Sequence, residues 1–528
     1  MTDAPLPQRS SRRPVDGWVD GWVDGVRRVF GLDPRALAVF RVGLGLMVFF
    51  DALMRVVDVE LFYSENGVAP RGGGGVDVVS FLWRPSLYSF SDTVAWATVL
   101  LVATAIAGAF LMLGWRTRLM TAIACFLVLS VQHRNENINT GADQVLITLL
   151  FIGLFLPLSQ TLSVDARRRR GTARHAATAS TAVVLSGASL ALLLQLVLIY
   201  FINVLNKDGA GWFNGLAVLQ TLHIDHHATP LGIWVRESIP WISAPLTYGT
   251  LAIEGAVLFL FVPNPRVRVV LVGLMCSMHL GFAVCMYLGL FSPLCMVAWV
   301  AVLPPSVWDA LGRRLPVFAV DNHRGGATPS DVFPLDGAAT VDHDAKRSPQ
   351  RRPLLRRSMA WLGGALALML IMLQLGVNVS RLKGSGFSMP AAPSRVARAL
   401  RVNLSWRMFG DPGRNDGWWV IPAKLADGRT VDVFQGRTPP SFKKPKNVGQ
   451  TYGTARWRKL MMNIMSESGG RGTRRSLAHW YCRTWNREHD GDDAMVSVTM
   501  VFMSERTHDD FRQRAPKRIE MEKTTCRR

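Results

Sequence analysis

The sequence predicts an all-α polytopic membrane protein with about nine transmembrane helices and a small C-terminal β-rich or α+β extracytoplasmic domain. Three observations predict it. Of the 528 residues, 49% are hydrophobic and only 19% charged, where a soluble chain carries about 25% charge. Apolar stretches of bilayer-spanning length recur between residues 36 and 378. Lysine and arginine are strongly biased between alternate loops. The same composition excludes disorder over most of the length, because apolar surface is plentiful. Six cysteines with no CxxC spacing argue against a zinc ribbon or a disulfide scaffold.

Residues 1–35 read as a basic cytoplasmic lead-in that ends in Arg27 and Arg28. They contain VDGW twice, at Val15–Trp18 and Val19–Trp22, which reads as a short duplication in a tolerant tail. Spans are expected near 36–54, 93–113, 117–132, 143–160, 181–203, 245–262, 268–288, 290–304 and 358–378. The third and eighth are short. Residues 36–304 thus form a transmembrane domain, 305–357 a basic cytoplasmic loop and 358–378 the last span. With the N-terminus inside, the inner segments hold 24 Lys/Arg and the outer loops 6. That asymmetry places the chain in the cell (inner, cytoplasmic) membrane with Arg167–Arg170 as its plainest inner anchor, and puts everything after the last span outside.

The tail, 379–528, is different in kind. Short alternating apolar pieces such as Trp418–Ile421, Val431–Phe434 and Met495–Phe502 are punctuated by Gly, Asp, Asn and Pro, which is the pattern of strands and turns. It carries +15 of the chain's net +22. Placement of the remaining charge in loops makes it a topology signal and not a nucleic-acid footprint. The tail's own charge suits membrane lipids, or an acidic stretch of a secreted peptide or protein. Cys482 and Cys526 both lie in it; outside the cytoplasm they are free to pair, and spacing alone leaves that open.

Ionisable residues inside spans are costly, so each is a candidate for function. Arg41 and Asp51 lie ten residues apart on the first span, too far to pair with each other, so each needs a partner elsewhere. Glu254 falls in mid-span, as a proton relay or an interhelical hydrogen-bonding group. The run QLVLIYFINVLNKDGAGWFNG, Gln195–Gly215, ends a span at its outer edge with Lys207. Lys207 is either a snorkelling anchor or a partly desolvated base. His133, Asn135, Asn137, Asn139 and Asp143 occupy the loop after the third span, and His279 the outer half of the seventh, so Lys207, Asp143 and His279 are expected to converge toward one leaflet. HIDHH, His223–His227, matches no strong zinc spacing and reads as a solvated loop; no metal is expected. The glycines at 72–75 are a weak phosphate signal, having no strand and helix around them.

Taken in order, LDPRALAVFRVGLGLMVFFDALMR, LFYSENGVAPR, HRNENINTGADQVLITLLFIGLFLPLSQTLSVD, the Lys207 segment and the His279 stretch resemble the HTTM (horizontally transferred transmembrane) domain family, the bacterial relatives of vitamin K-dependent γ-carboxylase. The tail pieces WRMFGDPGRNDGWWVIPAKLADGRTVDVF and HWYCRTWN are similar to the extracytoplasmic tails of many such proteins. The resemblance implies a membrane-embedded enzyme acting on a quinol-type, lipid-soluble cofactor such as reduced vitamin K (menaquinol-type). In the carboxylase, an outer-side lysine deprotonates vitamin K hydroquinone. Tyr200, Phe201, Ile202, Lys207, Trp212 and Gly215 match the order of that lysine's segment, so the resemblance nominates Lys207 as the base. It nominates His279 and Asp143 beside it; Tyr200 and Trp212 of the matched segment are expected to line the pocket, together with Asn139 and Arg41, which the placement of polar residues adds. Asp143 falls near a histidine of the carboxylase, and the tail lacks that enzyme's large propeptide-binding portion, so a glutamate-rich protein substrate is not implied. Because some relatives belong to peptide-toxin systems, the resemblance also allows a non-enzymatic factor for export, maturation or immunity of a secreted peptide.

Overall fold

The computed structural model describes residues 21, 24–70, 78–172, 183–318, 351–465, 470–508, 511 and 514–526. The VDGW repeat, apart from Gly21, and the glycines at 72–75 lie outside the described residues.

Each apolar stretch carries a helix. The first helix, α1, spans Pro34–Val56; Asp33 caps it by accepting from the Arg35 N–H at 2.7 Å, and Pro34 stands where no donor is needed. α2 (Val94–Leu113) starts on Thr93 and stops at Gly114, whose φ of +70° suits a residue without Cβ. α3 is Thr117–Arg134, α4 Gly141–Gly153 and α5 Gly187–Leu205. α6 (Ser243–Gly255) continues as a tighter turn to Phe261. α7 is Pro265–Cys285, α8 Phe291–Val300, α9 Pro305–Arg314 and α10 Arg351–Val379.

Among the described residues, six helices are long and apolar enough to cross a membrane, or seven if α8 and α9, bent by 93°, count as one. The nine expected stretches divide for physical reasons. At 13 residues α4 spans about 20 Å, short of a hydrocarbon core of about 30 Å. α3 has 18 residues but begins near Arg118 and ends in Gln132, His133 and Arg134. The eighth stretch holds only the ten-residue α8, and Pro304 and Pro305 stand at the bend between it and α9. The molecule is thus a mostly helical, multi-pass membrane protein.

The tail is α+β. Its sheet is antiparallel and built around the long strand β4 (Met495–Arg506). β1 (Asn415–Val420) and β2 (Pro422–Leu425) pair end to end along one side of β4, in register Trp419↔Phe502 and Ala423↔Val498. β3 (Thr430–Asp432) extends β2, and β5 (Lys517–Thr525) pairs along β4's other side. Helix α11 (Arg471–Glu488) lies across β4 and β5. A disulfide joins Cys482 on α11 to Cys526 just past β5, settling the pairing that spacing left open. Trp418, Trp419, Val501 and Cys482 share one hydrophobic core with Phe62, Tyr63, Leu101 and Ile138 of the helical part. The sheet therefore sits on the end of the bundle where α1 and α3 finish.

Candidate functional site

α5 positions the central residues. Its C-terminal turn carries Asn203, and Asn206 ends it. The Asn206 amide donates to the carbonyls of Ile202 (2.9 Å) and Trp406 (3.1 Å), so the chain turns there against a segment of the tail. Gly410 packs so tightly on the Asn206 carbonyl that a Cβ would stand 2.4 Å from it. The Trp212 indole donates to the Phe409 carbonyl at 2.8 Å. This held turn points Lys207 inward.

Lys207 Nζ lies 2.5 Å from Glu254 Oε2 of α6, with both side chains at most 3% exposed. Asn203 Nδ2 donates to both carboxylate oxygens, at 3.1 and 3.2 Å. The Trp212 ring centre is 4.2 Å from Nζ. A buried ion pair survives only when its desolvation is offset by close geometry and further hydrogen bonds; Asn203 and Trp212 supply these. Burial pushes the Lys207 ammonium below the ordinary lysine range, and the Glu254 charge only partly opposes it.

The pair stands at the wall of a cavity of about 360 Å³. Apart from Asn203, Lys207, Glu254 and a few hydroxyls its lining is apolar: Trp212 and Phe409 on the tail side, Ile253 and Leu246 of α6, Met278 and Phe282 of α7. Gly249 and Gly281 face open space, leaving room between α6 and α7. Chemically this is an apolar pocket with one proton-exchanging pair and one amide, suited to an amphiphile with a hydroxyl or acid head.

The other expected site residues are distributed over separate clusters. Tyr200, one turn earlier on α5, bonds His279 Nε2 through its hydroxyl at 2.6 Å and accepts from Trp299 Nε1 at 2.9 Å. His279 Nδ1 is buried with no hydrogen-bond partner among the described residues, and its ring packs by Phe282 and Phe291. Neither Tyr200 nor His279 lines the Lys207 cavity, although Met278 and Phe282 beside His279 do.

Asp143 belongs to a third cluster. It closes a capping box with Thr140 at the start of α4. It also accepts from Arg55 Nη2 at 2.5 Å and from Arg456 of the tail at 2.5 and 2.8 Å. Asp51 pairs with the same two arginines, at 2.7 and 2.6 Å. Asn139 lies nearby, donating to the Gln132 carbonyl at 2.7 Å. Arg41 is at the opposite end of the bundle, where its guanidinium donates to the carbonyls of Leu158 (3.0 Å), Thr161 (3.3 Å) and Leu162 (2.5 Å). Lys207 and Trp212 are thus brought together; Asp143, His279 and Arg41 are not brought to them. The residues that join Lys207, Glu254 and Asn203, differ in legibility. Glu254 announced itself as a charge in a span. Asn203 gave no signal.

HIDHH is not a solvated loop. Asp225 and His226 are buried, because the tail covers them. His226 Nδ1 lies 2.6 Å from Asp416 Oδ1, and Asp225 takes Arg236 and Lys444, each at 2.6 Å. Burial pushes Asp225 up, but Lys444 and Arg236 together hold it below the usual carboxylate range. Among the described residues no group of His, Cys, Asp and Glu is arranged to hold a metal.

A family model described as the HTTM domain matches residues 31–308. No curated protein matches the chain, and no solved structure does.

Proposed function

Because the chain belongs to the HTTM domain family, we propose that it is an enzyme of the inner membrane that uses Lys207 as a base on a quinol-type, lipid-soluble molecule. The observation that carries this reading is the buried Lys207–Glu254 pair at the wall of an apolar cavity. A lysine whose ammonium is disfavoured by burial offers a free amine at lower pH than an exposed one. On taking a proton it becomes the partner of Glu254, so proton uptake makes an ion pair where a lone buried charge would be prohibitive.

The cavity fits such a molecule on the grounds of its lining. An aromatic head would lie among Trp212, Phe282 and Phe409, with its hydroxyl toward Lys207 and Asn203. An apolar tail would leave by the gap that Gly249 and Gly281 keep open. A bound quinol would supply the reducing equivalents and the acidic hydroxyl; the chain's own residues bind, orient and exchange the proton. Met408 and Phe409 line the cavity, which makes the tail a cap over it. In this reading the N-terminus is cytoplasmic and the tail extracytoplasmic, with His279 and Asp143 acting on the site through packing.

The test uses the full chain in lipid with reduced naphthoquinone, oxygen and bicarbonate. Quinone epoxide is the expected product, and Lys207→Ala should lower its formation by about 10²–10⁴-fold, the contribution of a positioned general base. Absence of turnover with any quinol, together with tight binding of an acidic secreted peptide, would replace this reading with a non-enzymatic factor for such a peptide.

A further inference from the structure

A second cavity lies away from Lys207, near the Arg41 end of the bundle, where α3 begins and α4 ends. Its volume is about 1,110 Å³, and α10 forms its far wall. Arg116, Arg118 and Arg169 stand in its lining, and Phe155, Leu362 and Leu366 give it an apolar floor. Leu362 is 61% exposed, so this floor continues onto the outer surface of a helix that is apolar enough to span a membrane.

Asp165 is the acid in this lining, and its carboxylate is committed. Its two oxygens accept from the Arg116 and Thr117 N–H groups at 2.9 and 2.8 Å, which caps α3. That cap also holds Arg116 at φ +43°, a backbone region that side-chain-bearing residues seldom enter. The conformation sets Arg116 and Arg118 on the rim, both exposed. Arg118 has no ion pair among the described residues, and Arg116 lies 5.1 Å from the Trp115 ring centre. Along the sequence, α10 reaches this wall after Arg351, Arg352, Arg356 and Arg357.

We propose that this groove is a binding site for one anionic phospholipid, its phosphate at Arg116 and Arg118 and its acyl chains along Phe155, Leu362 and Leu366. Charge complementarity selects an anion. The apolar floor, opening sideways on spanning helices, selects an anion that carries acyl chains and not free phosphate. The site rests on the membrane-spanning reading and is independent of any chemistry at Lys207.

The experiment places the full chain in phosphatidylcholine nanodiscs doped with phosphatidylglycerol and counts retained lipids by native mass spectrometry. Wild type should retain phosphatidylglycerol over phosphatidylcholine, and millimolar inorganic phosphate should not displace it. The Arg116→Gln/Arg118→Gln double variant should lower that retention roughly 25-fold, from about fivefold per basic residue at a lipid surface. Arg266→Gln, an exposed arginine outside the groove, should leave it unchanged. Leu366→Trp, which fills the floor and leaves the arginines intact, should lower it as well. Equal retention of the two lipids, displacement by phosphate, or indifference to either the arginine pair or Leu366→Trp overturns the proposal.

Discussion

At the residue scale the molecule depends on a few buried charges whose partners come from elsewhere in the chain. Lys207 shows this most directly. Its ammonium is disfavoured by burial, so between its lowered value and the ordinary lysine value near 10.4 the unfolded chain binds the extra proton. A state that binds more protons when unfolded gains folding stability as pH rises. We therefore expect stability in lipid to increase with pH through that window, and Lys207→Met to abolish the increase; a wild-type curve that falls with pH there would contradict it. Glu254→Gln leaves the ammonium without its counter-charge and should destabilise by about 3–5 kcal/mol at neutral pH, with Lys207→Met recovering much of the loss in the double variant. Chemical unfolding of the four proteins measures both. How much of this was legible follows from what a sequence can carry. Lys207 stood out because it follows an apolar run and precedes glycines and a tryptophan. Glu254 stood out by its cost in a span. Their pairing depends on how α5 and α6 cross; of the two partners of Asp51, Arg55 is one turn along the same helix and Arg456 lies 405 residues away.

At the element scale the helices were readable and their fitness to span was not. Apolarity marked all nine stretches, but only the folded chain shows that α4 has 13 residues and that α8 and α9 meet at 93°. Packing between the spans depends on residues that hydropathy ignores. A Cβ on Gly45 of α1 would stand 2.6 Å from Met112 N and 2.7 Å from Gly108 O, and one on Gly108 of α2 would stand 2.8 Å from Phe49 N. The obstructing atoms are backbone, so only separation of the two helices relieves them. Small residues facing one another are what lets spanning helices approach where lipid supplies no hydrophobic drive. Gly45→Leu should then cost at least the 1–3 kcal/mol typical of overpacking. Gly273→Leu on α7, with nothing within 4 Å of its Cβ position, should be near neutral. Thermal unfolding of both in one detergent tests this; equal effects would show that the α1–α2 approach has slack.

At the scale of the whole molecule the charge asymmetry and the docking of the tail bear on one question, which side is which. The inner-assigned segments hold 24 basic residues against 6 in the outer loops. The sheet domain packs on the end away from Arg41 and is fastened there by Arg456 on Asp51 and Asp143, and by Asp416 on His226. A Cys482–Cys526 disulfide belongs in an oxidising compartment, which agrees with a tail outside the cytoplasm. None of this docking was visible in the sequence, because it joins helix ends and a loop of the bundle to a helix (Ala455–Asn463) and a strand of the tail some 190 residues or more distant. The proposed orientation rests on charge, so it can be tested without touching the site. Lys446→Cys, exposed in the sheet domain, should react with a membrane-impermeant maleimide on intact cells. Arg313→Cys, exposed on α9 at the opposite end, should react only after permeabilisation. The reverse pattern would place the basic end outside. It would put the groove at Arg116 and Arg118 in the other leaflet, and it would require the disulfide to persist in a reducing compartment.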